Sequence, residues 1–192
     1  MKLAIVSDIH ADAKALQRAF DDMPSVDGVL CAGDVCSDFR FCDETVALLR
    51  EGRAQCIQGN HENMLFGGGN PRYLAKCQAQ FAPEALAYLS EAPQSLDLEL
   101  EGVRLHMIHA TPWSPFSGYI HPGSPQLPRF AKLPHDFVIL GHTHVPMVER
   151  AGSVTVLNPG SPSQPRDGDR RGSYAVLDLG TRTATIHRFS LD

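Results

Sequence analysis

Five short motifs set carboxylates, an amide and imidazoles beside glycines or at the ends of apolar runs. They are Asp8-Ile9-His10, Gly33-Asp34, Gly59-Asn60-His61-Glu62, His109, and Gly141-His142-Thr143-His144. A D-x-H spacing just after a strand aims an oxygen and a nitrogen donor into one space. Two histidines at i and i+2 after a glycine do the same with two nitrogens. Taken singly, most of these motifs have an ordinary structural reading. Asp8 can cap a helix with His10 on the surface, Asp34 can close a turn, and Asn60 and His61 can form an Asx turn with a solvated ring. Taken together, Asp8, His10, Asp34, Asn60, His109, His142 and His144 supply oxygen and imidazole donors without a single thiolate. Such a set suits Mn, Fe, Zn or Ni and offers more donors than one tetrahedral ion uses. Two ions are therefore expected, with a carboxylate such as Asp34 bridging metals about 3.5 to 4 Å apart and a water deprotonated between them.

The elements that must position these residues alternate between strand and helix patterns. Lys2 to Ser7 reads as a buried strand and is followed by helical periodicity from Ala13 to Met23. The pattern repeats with a strand at Val29 to Ala32, a helix at Asp43 to Glu51 and a short strand at Ala54 to Ile57. Alternation of this kind argues for an α/β fold, in which ligands bind at the carboxyl ends of the strands. From Met64 to Pro93 the chain becomes rich in Ala and Gln after Gly67-Gly68-Gly69, and Pro83-Glu84 is placed to open a helix, so a helical insertion is expected at about 64 to 93. Leu96 to Leu100 and Val103 to His109 read as a hairpin turning at Glu101-Gly102. Strands are expected at Phe137 to Leu140, Val145 to Arg150, Val154 to Asn158, Ser173 to Leu179 and Thr183 to Ser190. Between them lies a proline-rich loop, 110 to 128, long enough to rim a site.

Composition narrows the function classes. The 192 residues carry 43% hydrophobic, 20% charged and 7% aromatic side chains, which excludes a disordered chain. One domain spanning 1 to 192 is expected at this length. With 17 basic against 22 acidic residues the net charge is -5, and non-specific nucleic-acid binding is disfavoured. No apolar run approaches a membrane span or a signal-peptide core. Cys31, Cys36, Cys42, Cys56 and Cys77 form no C-x-x-C pair and read as reduced thiols packed as small apolar groups, which points to the cytoplasm.

The ordered motifs resemble those of the calcineurin-like metallophosphoesterase superfamily, and the chain length together with Asn158-Pro159-Gly160-Ser161 is most similar to its small bacterial and archaeal phosphodiesterase branch. The resemblance implies a four-layer αββα sandwich of two mixed β-sheets flanked by helices. It implies that Asp8, His10 and His144 hold a first divalent ion, that Asn60, His109 and His142 hold a second, and that Asp34 bridges. His61 would then contact the phosphoryl group as the general acid, alongside Asp34 and Asn60 in the catalytic set. The implied activity is hydrolysis of a phosphodiester or nucleotide by a metal-bridging hydroxide, with manganese favoured and a small-molecule phosphate ester as partner. Alternatives are a phosphomonoesterase or protein phosphatase, or a non-catalytic metal-binding scaffold, since the superfamily includes the retromer scaffold subunit; self-association is open. Where the family usually has glycine after the fourth motif, this chain has Ala110.

Other residues admit two readings. Arg166, Arg170 and Arg171 either reach a distal phosphate or lie in a solvated loop, and Trp113, Phe116 and Tyr119 either stack on a base or aryl group or anchor the loop to the core. His106, His121, His135 and His187 lack a ligand partner in sequence and are expected to be structural.

Overall fold

The computed structural model describes residues 1–37, 43–67 and 71–191; Cys42, Gly68 and Gly69 lie outside the described residues. Two five-stranded sheets face one another. The first runs β10 (Thr183–Phe189), β9 (Gly172–Asp178), β1 (Lys2–Val6), β2 (Gly28–Cys31), β3 (Gln55–Cys56). The second runs β4 (Ser95–Leu100), β5 (Val103–Ile108), β6 (Phe137–Ile139), β8 (Val154–Asn158), β7 (Met147–Ala151). Both are mixed: β1, β2 and β3 are parallel, as are β5, β6 and β8, while β9, β10, β4 and β7 pair antiparallel.

Strand alternation builds three apolar layers. Leu3, Ile5, Leu30 and Ile57 point from the first sheet toward Leu105, Met107, Phe137, Ile139 and Leu157 of the second, forming the core between them. The opposite face of the first sheet, with Ala4, Val6, Val29 and Cys31, packs against the helices. These are α1 (Ala13–Asp22), α2 (Asp43–Glu51), α3 (Asn60–Phe66), α4 (Pro71–Gln78) and α5 (Pro83–Glu91). The outer face of the second sheet, with Ile108, Val138 and Val156, is covered by Ile120, Leu127 and Phe130 from the proline-rich loop and a 3₁₀ helix, Leu127–Lys132. The fourth layer is thus thin, because the prolines of that segment deny it a regular α-helix.

Local chemistry accounts for the boundaries. The Asp12 side chain accepts from the Ala15 N–H at 2.9 Å and caps α1. Pro83 occupies the first turn of α5, where its missing N–H costs nothing. Glu101 and Gly102, with φ of 50° and 71°, form the tight turn of the β4–β5 hairpin. Helical structure begins at Asn60, ahead of the insertion expected from Met64, because the Glu62 carboxylate accepts from the Gly59 N–H at 2.8 Å and starts α3 there.

Leu105 is fully buried between the sheets. Leu105→Ala is expected to cost about 2 to 5 kcal/mol of unfolding free energy by urea titration; a loss below about 1 kcal/mol would show that the two sheets do not share this core.

Candidate metal centre

The carboxyl ends of β1, β2, β3, β5 and β6 meet at one edge of the sandwich. Asp8 and His10 follow β1, Asp34 follows β2, Asn60 and His61 follow β3, His109 follows β5, and His142 and His144 follow β6. Five of these residues, Asp8, His10, Asp34, His142 and His144, hold φ between 51° and 69°, the left-handed region that non-glycine residues rarely enter. Hydrogen bonds keep them there. Asp8 N–H donates to Gly33 O at 3.0 Å, and Ile9 and His10 N–H both donate to Asp34 O. The Asp8 carboxylate accepts from His142 N–H at 2.9 Å, and Ser161 Oγ donates to Asp8 O at 2.7 Å. Close approach also requires glycine: a Cβ on Gly141 would lie 2.0 Å from Ser7 Oγ, and one on Gly59 would lie 2.1 Å from Asp34 Oδ1.

Within this frame the donors converge. His10 Nε2 and His144 Nε2 are 2.9 Å apart, with Asp8 Oδ1 3.4 Å from the latter. Across the site, Asn60 Oδ1 is 2.8 Å from His142 Nδ1 and 3.1 Å from His109 Nε2, which is itself 3.3 Å from Asp34 Oδ2. Asp8, His10 and His144 form one group whose donor atoms all lie within 4.8 Å, and Asp34, His109 and His142 form another. The Nδ1 atoms of His109 and His144 face the carbonyls of Ala32 (2.7 Å) and Gln164 (2.8 Å). A carbonyl only accepts, so each Nδ1 carries a proton and each Nε2 is left to face the cluster, the arrangement that orients imidazole for a cation. His10 Nδ1 is buried with no hydrogen-bond partner among the described residues. All seven expected donors are thus brought together, and the set fits divalent ions.

Burial and neighbouring charges set protonation states that agree with this fit. Burial lowers His10, His142 and His144 to about 4, so these rings are neutral at pH 7, the state in which imidazole coordinates a metal. Burial pushes Asp8 up to about 7, with His109 opposing and Asp34 adding to the rise. Burial alone would also lower His109, but the Asp34 carboxylate and its hydrogen bond outweigh this and hold His109 at about 10. For Asp34, burial works upward, yet His109 and then His61 hold it well below the usual carboxylate range.

His61 sits at the mouth. Its Nε2 lies 3.8 Å from Asp34 Oδ2, its ring meets that of His10 edge-on, and its side chain is 18% exposed against 2% for Asp34. Of the three aromatics in the proline-rich loop, Trp113 packs on Phe130 beneath Arg129 and anchors the loop, and Phe116 is half-buried. Tyr119 stacks on His142 with centroids 4.4 Å apart and remains 55% exposed. The Arg171 guanidinium is engaged bidentately by Asp169, Arg170 is exposed in the same loop, and the charge of Arg166 helps lower His142 and His144. Cys36 is a buried thiol, pushed up by burial and by Glu62, and takes no place among the donors.

Three positions matter more than their sequence signals indicated. Glu62 is buried, and its carboxylate accepts from the N–H groups of Asp34 (2.9 Å), Cys36 (2.9 Å) and Gly59 (2.8 Å). Asn158 Nδ2 donates to Gly141 O at 2.6 Å and steadies the Gly141-His142-Thr143-His144 segment. Ser161, besides its bond to Asp8 O, accepts from Ser163 and Gln164 N–H. The motif Asn158-Pro159-Gly160-Ser161 therefore acts as a brace behind the donors.

Residues 1–182 match the family model of the calcineurin-like phosphoesterase superfamily domain. A probable metallophosphoesterase of Methanothermobacter thermautotrophicus is 29% identical over 173 residues, covering 86% of this chain and 80% of the relative. Phosphodiesterase YfcE of Escherichia coli K12 is 27% identical over 189 residues, covering 93% and 88%. The crystal structure of a metallophosphoesterase from Sphaerobacter thermophilus superposes with a TM-score of 0.81 at 28% identity, covering 99% of this chain and 89% of that one.

Two outcomes follow from the geometry. Glu62→Gln turns an NH₂ toward buried N–H donors and is expected to cost about 1 to 3 kcal/mol of stability and to weaken metal retention; unchanged urea melting and metal content would contradict this. Because His109 (about 10) and Asp8 (about 7) hold protons that coordination must displace, metal uptake releases protons and its apparent affinity rises with pH. Equilibrium dialysis against Mn²⁺ should show at least about tenfold tighter binding at pH 7 than at pH 6, and pH-independent uptake would contradict the assignment.

Proposed function

The chain belongs to the calcineurin-like phosphoesterase superfamily and is a phosphoesterase, and from that premise we propose that it hydrolyses a small phosphodiester or nucleotide at a centre of two divalent ions, manganese favoured. The observation that carries this reading is the pair of donor groups sharing one buried edge, Asp8, His10 and His144 on one side and Asn60, His109 and His142 on the other, with Asp34 between them. When bound, the ions supply the positive charge that holds the phosphoryl oxygens and lowers the pKa of the attacking water. Two ions would bring +4 against the -2 of Asp8 and Asp34, which would draw an anionic ester to the edge of a protein whose net charge is -5.

The chain's own residues do the rest. His10, His142 and His144, neutral at pH 7, and Asn60 present lone pairs without a competing proton. His61, at the mouth and beside Asp34, gives its proton to the leaving oxygen. Tyr119 offers its exposed ring over His142 as a platform on which a base or aryl group stacks, which supports a nucleotide or aryl diester. The donor set has no missing member, which favours the enzyme over a scaffold on the same fold. Phosphodiesterase activity named for the Escherichia coli relative supports the diester. No helix among the described residues is long and apolar enough to cross a membrane, and the buried thiols Cys31, Cys36 and Cys56 support a reducing, cytoplasmic setting.

The test is turnover of bis-p-nitrophenyl phosphate beside p-nitrophenyl phosphate by chelated protein reloaded with Mn²⁺, Ni²⁺, Zn²⁺ or Mg²⁺. We expect metal-dependent turnover favouring the diester. His61→Ala should lose about 10² to 10⁴ in kcat with metal content retained, whereas Asp34→Ala should lose metal and activity together. Release of metal by His61→Ala, or a monoester preference, would overturn the corresponding part of the proposal.

A further inference from the structure

Outside the centre described above, the described residues contain one more group of imidazole and carboxylate donors within 4.8 Å of one another: Asp97, His106 and His135. Three neighbouring segments build it. Asp97 on β4 stands directly opposite His106 on β5, and His135 lies just ahead of β6, the next strand of the sheet. Asp97 Oδ1 is 2.7 Å from His106 Nδ1 and 3.0 Å from His135 Nε2. Strand alternation places the group on the far side of the sheet from the phosphoesterase centre. Val103, Leu105 and Met107 of β5 point into the inter-sheet core that leads to His109, so His106 points outward.

The ring spacing matches that of the first centre. The His106 and His135 rings have centroids 5.0 Å apart at 29°. The corresponding pairs in the first centre are His10 and His144 at 4.7 Å and 30°, and His109 and His142 at 5.2 Å and 70°. Nitrogens about 2.0 to 2.1 Å from a common ion require ring spacings of this order. The two rings are mostly buried, with side chains 13% and 19% exposed, while Asp97 is 66% exposed, which leaves an open side for an ion and its waters to enter. Two imidazoles and one carboxylate suit a first-row divalent ion rather than Ca²⁺ or Mg²⁺.

We propose that Asp97, His106 and His135 bind one further divalent transition ion, of the Zn²⁺ class, which ties the edge strand β4 to β5 and to the lead-in of β6. The site is weaker than the phosphoesterase centre. There, His109 and His144 each rest their second nitrogen on a carbonyl and His10 Nδ1 is buried without a partner among the described residues, whereas here no ring nitrogen is shown resting on a carbonyl and His135 Nδ1 is the buried one without a partner. Such outer support is worth about 10- to 100-fold in affinity. The ion is therefore exchangeable and follows the ambient metal concentration.

The experiment is equilibrium dialysis of the full-length, Mn²⁺-loaded protein against rising Zn²⁺, with total bound Mn and Zn counted by elemental mass spectrometry, for wild type, Asp97→Ala and His135→Ala. Circular dichroism confirms that the variants fold, and Asp97, being exposed, is the safer of the two. Wild type should saturate one equivalent above both variants. The difference is independent of how many ions the first centre holds and of whether that centre turns over a diester. Equal metal content at saturation in wild type and Asp97→Ala would overturn the proposal and leave Asp97 as a carboxylate that merely accepts two imidazole N–H bonds.

Discussion

The structure depends on holding five side-chain-bearing residues in left-handed backbone at the ends of three strands. Asp8, His10, Asp34, His142 and His144 all have positive φ, a conformation that costs about 1 to 2 kcal/mol for each such residue. Continuing as strand would alternate their side chains to opposite faces, and turning as a right-handed helix would carry them away from the edge. The left-handed kinks fold the strand ends over, so that donors from both sheets face one another. Strain of this kind persists only where the surroundings over-determine it. Here Asp34 O receives the N–H of Ile9 and His10, and the Asp8 carboxylate receives the N–H of His142. Glu62 collects three N–H groups around the Asp34 turn, and Ser161 closes on Asp8 O.

Electrostatics follow from that geometry. Two buried carboxylates and four imidazoles share one volume, and their mutual charges would be expensive without a cation or a proton to balance them. The protein divides the problem. Burial keeps His10, His142 and His144 neutral, while Asp34 and His109 stabilise one another in their charged forms. A divalent cation held by these donors would take over the role of the His109 proton, so the contacts that order the chain also orient the donors for metal. His61, nearer to solvent, stands 3.8 Å from the Asp34 carboxylate and adds to the charge that holds Asp34 ionised.

Much of this was legible in the sequence because the donors lie next to strand ends that hydrophobic runs announce. Asp8-Ile9-His10 after Leu3 to Val6 and Gly141-His142-Thr143-His144 after Phe137 to Leu140 required only the recognition of a buried strand. Glu62 stood in a quoted motif, but the backbone donors it serves at Asp34 and Cys36 are 28 and 26 residues away, and only folding joins them. His106 and His135 read as structural for the same reason. Asp97 reaches His106 through hairpin register and His135 through a parallel neighbour, and neither contact leaves a local pattern. The proline-rich loop was ambiguous because its aromatics divide between tasks, Trp113 packing on Phe130 and Tyr119 lying over His142.

Anomalous X-ray diffraction from crystals grown with Mn²⁺ locates ions independently of turnover and so distinguishes a two-ion centre from a single ion or none. A two-ion centre would give two peaks at the edge where the sheets meet, one bounded by Asp8, His10 and His144 and the other by Asn60, His109 and His142, with the Asp34 carboxylate beside both. A single peak, or peaks that avoid these side chains, would contradict it.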